Sequence, residues 1–469
     1  MTTLSNIPFN FKAGEISSDA RSLCLSQFSE QIGLLSALEN VLGSKPERTR
    51  PGAPVQYSPG ELAFHYIFGL MQGYQNPSEM DRAKDDPVLG ELTGKTPSQA
   101  SFSRFLTNLT EPDEQQLRGL NQQVLEQYLK MKVEQNEGRK LPVLNISNDS
   151  TKVETYGKQE GSAYIHHYRT NGYHPDLLTD DDFRIVLSCL LRNGNTYSST
   201  GSEEQLKAAL AWLSEYYELI VFRADSAYGK PEILNVLNDE GIVEKVKIEY
   251  FIKAKTYRSW VREADVFVEH EGEQVHILKA PRDYFEEMDE KTGESRLADR
   301  FVSFSQQCDS WDNPEQIVAR VRYQDSDQEA LLPEDNKDIE MIIVRSEKRG
   351  EEAFTEYGKR GMQEQIIEEF KNESFAGTLS HREKEQNAAE LQLKVLAHNL
   401  MQILRLEGLK NTVYARCRTA TMRYLLVKIG GKIVRHGRTM LLKLSSCFAY
   451  RRWFELVMDR IPLIRFQMC

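Results

Sequence analysis

Cysteine is scarce in this chain and nowhere clustered. Its six thiols (Cys24, Cys189, Cys308, Cys417, Cys447 and Cys469) are scattered over 469 residues, with no Cys-x-x-Cys pair. That spacing excludes a disulfide framework and a cysteine zinc site, and it makes a reducing compartment the expectation. Long apolar runs are missing too. No stretch of about 18 apolar residues occurs, so no membrane span is expected. The opening MTTLSNIPFNFKAGE lacks the charged-then-apolar pattern of a signal peptide. A cytoplasmic protein without a membrane partner is the expectation. Low-complexity blocks and internal repeats are absent as well. At 40% hydrophobic and 28% charged residues, the composition is that of a globular protein with about two to four domains.

A net charge of −11 argues against a uniformly basic coat for nucleic acid. The average hides a segregation. Residues 401–469 hold 14 Lys+Arg against 3 Asp+Glu, a net of +11, so the preceding 400 residues carry −22. An acidic body with a basic tail often carries its nucleic-acid contact locally. A solvated basic face is the alternative.

Residues 1–138 read as helical, with apolar residues at helical spacing in ELAFHYIFGLMQGY and EQQLRGLNQQVLEQYLKMKVEQ. Within them, a short helix at PVLGEL, a turn at TGKTP and a helix QASFSRFLTNL suggest a helix-turn-helix-like unit. Phe102, Phe105, Leu106 and Leu109 share its inner face, and Ser98, Gln99, Ser101 and Arg104 are free for DNA. From residue 139 the pattern becomes α/β. LPVLNIS reads as a strand, KQEGSAYIHHYRTNGYHPD as a polar loop and FRIVLSCLL as a strand. EEQLKAALAWLSEYY follows as a helix, YELIVFRADS as a buried strand, KPEILNVLNDEG as a helix and EYFIKAK as a strand. Residues 256 to about 345 break the alternation with short strand-like runs and acidic turns such as DSDQEALLPEDNKD, which suggests a mostly β insertion.

Chemistry concentrates at three places. Asp149 and Asp225 each stand at the end of an apolar run, flanked by small residues, where an α/β sheet gathers its ligand-binding groups. Tyr357, Arg360, Glu364 and Lys371 are offset by 0, 3, 7 and 14 residues on what reads as one helix, a single stripe at 100° per residue. Three carboxylates suit hard divalent cations, and the basic and aromatic companions suit a nucleic-acid backbone. A turn aspartate at each strand end and a solvated helix face are the alternatives, and Glu368 competes with Glu364 for the third carboxylate. His166 and His167 lie in a polar loop without ligand spacing, so solvation or a phosphate contact is expected of them.

The Tyr-x2-Arg-x3-Glu-x6-Lys pattern resembles that of DDE transposases of bacterial insertion sequences. NDSTKVETYGKQEGSAY with GYHPDLL resembles the first-Asp region of one branch, FRADSAYGKPEIL its second-Asp region, and DDPVLGELTGKTPSQASFSRFLTNL its N-terminal segment. The resemblance implies a ribonuclease H-like catalytic domain at 139–400 with the β insertion. An all-helical DNA-binding domain at 1–138 precedes it, and a basic, helical C-terminal region at 401–469 follows. It also implies that Asp149, Asp225 and Glu364 hold two Mg²⁺ ions (Mn²⁺ can substitute), and that Tyr357, Arg360 and Lys371 contact the transposon-end strand. The intervals of 76 and 139 residues between the carboxylates leave room for the insertion. In some relatives a tryptophan of the insertion stacks on a flipped base, a role for which Trp311 is the best-placed candidate and Trp260 the runner-up.

Some positions depart from the pattern. Asn145 and Ser147 stand where relatives often carry another acid, Ala224 replaces a glycine, and SHREKEQNAAELQ is less apolar and basic than its counterparts. The implied activity is cleavage at terminal inverted repeats and strand transfer into target DNA by a homodimer in a synaptic complex, associated with the bacterial nucleoid. A ribonuclease H-like nuclease without strand transfer and a catalytically inactive, transposase-derived DNA-binding protein are the rivals.

Overall fold

The computed structural model describes residues 14–45, 56–94, 96–289, 294–324, 337–437 and 439–468. The acidic turn at 325–336 lies outside the described residues. Eight strands form one sheet: β1 (Leu141–Ser150), β2 (Asp176–Asp180), β3 (Ile185–Leu190), β4 (Tyr217–Ala224), β5 (Lys247–Lys253), β6 (Arg300–Gln306), β7 (Glu315–Tyr323) and β8 (Lys337–Arg345). Their spatial order is β6-β7-β8-β5-β4-β1-β2-β3. β1, β4 and β5 run parallel, and every other pairing is antiparallel. The parallel trio is built from continuous apolar runs because helices cover both of its faces.

Two features of this sheet differ from the sequence expectation. β2 falls at the end of a stretch that reads as polar loop. All five of its residues are nevertheless buried, since Asp176 and Asp180 are satisfied by internal hydrogen bonds. The insertion is mostly β, but its last three strands continue the main sheet beyond β5 rather than forming a separate unit. The rest of the expected loop folds into a small three-stranded sheet of Val153–Glu154, Thr170–Tyr173 and Ala163–Ile165.

The N-terminal helices Leu23–Gln31, Leu34–Leu42, Pro59–Gln72, Pro77–Arg82, Pro87–Thr93 and Gln99–Thr107 are punctuated by local chemistry. Ser58, Asn76 and Asp86 each cap a helix whose first residue is proline, and Ser98 caps Gln99–Thr107. The short and long helices expected at PVLGEL and QASFSRFLTNL are therefore both present. Phe102, Phe105, Leu106 and Leu109 are buried, while Ser98, Gln99 and Arg104 are exposed and Ser101 is half-buried.

Helices α1 (Glu111–Gln135), α2 (Gly350–Gly358), α3 (Gly361–Glu373), α4 (Lys384–Gly408) and α5 (Thr419–Leu426) complete the body. α4 packs against α1, Pro59–Gln72 and β3, and is buried nearly all round. Several of its interior polar groups are hydrogen-bonded. Asn399, for example, donates to Asn121 (2.7 Å) and to the Val186 carbonyl (2.8 Å). The boundary drawn at residue 400 falls inside this helix, whose apolar positions continue unbroken to Leu404. The C-terminal region is also not purely helical. Gly431–His436 and Thr439–Leu444 pair as a hairpin, consistent with β-rich KIVRH and TMLLKL runs around Gly437. Trp260 and Trp311 are buried and meet edge to face at 5.8 Å inside the insertion. Neither ring is presented for stacking on a base, because each completes the other's apolar surroundings.

Candidate active site

Asn148 of β1 pairs with Ala224 of β4, so Asp149 and Asp225 follow at neighbouring positions where the two parallel strands end. Each carboxylate has one oxygen pinned by the backbone. The Ser150 N–H donates to Asp149 Oδ1 (2.8 Å) and the Ala227 N–H to Asp225 Oδ1 (2.8 Å). Burial raises the Asp149 carboxyl to about 6 despite the nearby Arg360, and the charge of Asp225 adds to the rise. A buried carboxylate beside a second one is an electrostatic setting in which a cation binds well.

The helical wall is not one helix. α2 ends at Gly358 and α3 begins at Gly361, with Arg360 capping α3. The two glycines weaken the helix, and the junction tightens into i→i−3 bonds such as Arg360 N–H to the Tyr357 carbonyl (3.0 Å). Tyr357 therefore sits on α2, Arg360 in the turn, and Glu364 and Lys371 on α3. The turn aims Arg360 at the sheet. Its guanidinium meets Asp149 Oδ2 at 2.9 Å and Glu364 Oε1 at 3.3 Å. Gln363 docks the start of α3, donating to the Ser147 (2.8 Å) and Leu177 (3.1 Å) carbonyls.

Glu364 is 66% exposed at the mouth of this arrangement. Glu368 instead faces Arg418 (3.3 Å), and Glu369 is buried against Thr419, so neither joins the aspartates. Tyr357 packs on the apolar layer of Val221 and Phe251; burial raises its phenol, while Arg360 and Lys253 oppose the rise. Lys371 donates to Thr151 Oγ1 at 3.3 Å, just beyond Asp149, and burial together with Lys152 depresses its ammonium. The structure thus brings Asp149, Asp225, Arg360, Tyr357 and Glu364 together, with Lys371 about two helical turns further along the same groove.

The three carboxylates are drawn near one another but not to ligand distance. Among the described residues, only His270, Glu271 and Asp283 in the insertion bring three His, Cys or carboxylate ligand atoms within 4.8 Å of one another. Arg360 lies between Asp149 and Glu364. The donor set at the sheet edge, all carboxylate oxygen and open to solvent on one side, fits Mg²⁺ or Mn²⁺ rather than a softer ion.

Two residues here escaped the reading of the sequence. Tyr168 donates to the Ser150 carbonyl (3.1 Å), and burial followed by the charges of Asp149 and Asp225 pushes its phenol up to about 12. Asp176, fully buried on β2, accepts from Tyr228 (2.6 Å), Ser202 (2.7 Å) and Asn148 (3.0 Å), and burial raises its carboxyl. Through this hub the Asn148 end of β1 and the turn after Asp225 are tied to one buried carboxyl. The position of Asp176 in GYHPDLL, a motif resembling the family, was the available signal. His166 and His167 are exposed, stacked edgewise on Tyr164 (5.1 Å) and Tyr168 (4.8 Å), and ligate nothing among the described residues.

Comparison with known proteins bears on this geometry. The family model described as transposase DDE domain group 1 matches residues 2–466. No curated protein matches the chain. Among solved structures, a cryo-EM structure of a piggyBac transposase synaptic complex with hairpin DNA is 12% identical, with 87% of this chain and 79% of that chain covered at a TM-score of 0.43.

Proposed function

This chain belongs to the DDE transposases, and we propose that it cuts DNA at the ends of a mobile element and joins the freed 3′-hydroxyl to target DNA. One observation carries the reading: Asp149 and Asp225 leave adjacent parallel strands side by side, and Arg360 links Asp149 to Glu364 on the facing helix. The order β3-β2-β1-β4-β5, antiparallel and then parallel, supports a ribonuclease H-like catalytic core for which β8, β7 and β6 form the inserted extension.

Asp149, Asp225 and Glu364 would hold the divalent cations, Mg²⁺ or Mn²⁺. Bound there, two such ions supply Lewis acidity to the attacking oxygen and neutralise charge at phosphorus. The chain's own groups do the rest. Arg360, a planar fork already at the carboxylates, is placed to grip a phosphate bidentately, and Lys371 adds a point charge further along the strand. Tyr357, half-buried on the apolar layer, presents its hydroxyl and ring edge beside Arg360. Tyr168, held by the Ser150 carbonyl, borders the aspartates. The Asp176 hub holds both strand ends in register.

The helical unit before residue 138 and the region after α4 would bind the terminal inverted repeats, in a homodimer that pairs two ends. A bacterial insertion sequence is the proposed source. The test supplies a pre-cut 3′-hydroxyl end, a target plasmid and Mg²⁺. Joined product is the expected result, whereas hydrolysis without joining would reduce the protein to a nuclease.

A further inference from the structure

The C-terminal hairpin has two unlike faces. Its inner face places Ile433, Leu442 and Leu444 against Ala20, Val88 and Ile429. Arg435 pairs there with Glu91, 344 residues away along the chain. The hairpin is thereby fastened to the helix Pro87–Thr93, which leads by one turn into Gln99–Thr107 with its exposed Ser98, Gln99 and Arg104.

The outer face is set by the strand register. Lys432 stands directly opposite Lys443, with Val434 opposite Leu441 and His436 opposite Thr439 beyond them. Both lysines are exposed, and neither is in an ion pair among the described residues. Like charges directly opposite on a two-stranded sheet destabilise it, and a polyanion laid across them removes that repulsion. The aliphatic pair beyond the lysines, half-buried Val434 and exposed Leu441, suits the apolar edge of a deoxyribose as readily as water. A two-stranded ribbon also has the dimensions to lie in or along a DNA groove.

We propose that the paired strands Gly431–His436 and Thr439–Leu444 are a second double-stranded DNA contact, presented beside the helix Gln99–Thr107, with Lys432 and Lys443 on the phosphates. The assignment rests on the DNA-binding role proposed above and locates part of it in a segment expected to be helical. It makes the DNA-binding surface composite, built from both ends of the chain.

The test uses the full-length chain and a fluorescent duplex of mixed sequence, titrated over a range of salt concentrations. The double variant K432Q/K443Q should weaken binding roughly tenfold at moderate salt and reduce the slope of log affinity against log salt by about 2. Lys207 and Lys245, paired with Asp239 and Glu215 elsewhere on the surface, provide the control, and K207Q/K245Q should keep the original slope. Thermal unfolding should be slightly raised in K432Q/K443Q, where the repulsion is removed, and unchanged in K207Q/K245Q. An unaltered slope and affinity in K432Q/K443Q overturns the proposal. So does an unaltered slope accompanied by a fall from dimer to monomer in light scattering, which would make the hairpin a face between copies. A protein with the expected slope change but no strand joining would keep the hairpin contact and reject the transposase mechanism.

Discussion

One face of the central sheet carries two acid clusters built from the same parts, and they behave as opposites. In each, an arginine meets two carboxylates. Arg223 of β4 contacts Glu356 (2.9 Å) and Asp181 (3.8 Å), and Arg360 contacts Asp149 (2.9 Å) and Glu364 (3.3 Å). The first cluster is sealed. Arg223 is 1% exposed and also donates to the Glu356 carbonyl (2.7 Å) and to Asn145 (3.0 Å), while Lys348 and Lys359 add positive charge at Glu356. The second is open and short of positive charge, because Asp225 brings a third carboxylate to a single arginine whose partner Glu364 is largely exposed. Two residues of strand separate a structural cluster from one poised for cations. What distinguishes them is exposure and charge balance rather than residue type.

Removing the sealed arginine should be the most damaging change. Arg223→Met leaves Asp181 and Glu356 without their partner and should cost about 3–5 kcal/mol in urea unfolding. Arg360→Met should stay within about 1 kcal/mol of the parent, since its pairs are only partly buried. Equal costs would erase the contrast between the clusters.

The sealed side also predicts a pH dependence. Burial raises Asp181 to about 7 and Asp180 to about 8. Folded molecules therefore hold protons that unfolded ones release above about pH 4. The associated stability is complete below that value and is lost as pH rises through 7 and 8. Asp181→Asn should flatten this fall by about 2–4 kcal/mol between pH 5 and pH 9. A stability that rises over this window would contradict the burial argument.

Smaller still is the expected effect of Tyr228→Phe. It deprives buried Asp176 of its shortest hydrogen bond and should cost about 1–3 kcal/mol, with cleavage lowered because the turn after Asp225 loosens. At the bottom of the scale, Glu368→Gln should change stability by less than about 0.5 kcal/mol and leave cleavage intact. Glu364→Gln should abolish cleavage. The reverse pattern would place the third carboxylate one helical turn later.

Parts of this arrangement were legible in the sequence because they are local. β1, β4 and β5 announce themselves as apolar runs, and Asp149 and Asp225 end two of them. The Tyr-Arg-Glu-Lys spacing survives as one groove although the helix breaks at Gly358 and Gly361, since a tightened turn preserves much of the helical direction. What could not be read depends on distant partners. β2 looks polar because the donors to Asp176 are Asn148, Ser202 and Tyr228, spread over 80 residues. The strands Gly431–His436 and Thr439–Leu444 stand in a segment expected to be helical, because their inner face is completed in part by the distant Ala20 and Val88. Trp260 and Trp311 invited a base-stacking role, yet they bury each other.

The claim that the open cluster holds catalytic cations is tested most directly by Asp225→Asn, assayed with a labelled transposon end and Mg²⁺. The variant should bind the end with parental affinity and lose cleavage by on the order of 10³-fold or more, equivalent to about 4 kcal/mol of lost transition-state stabilisation. Cleavage at the parental rate by a correctly folded Asp225→Asn protein would contradict the account.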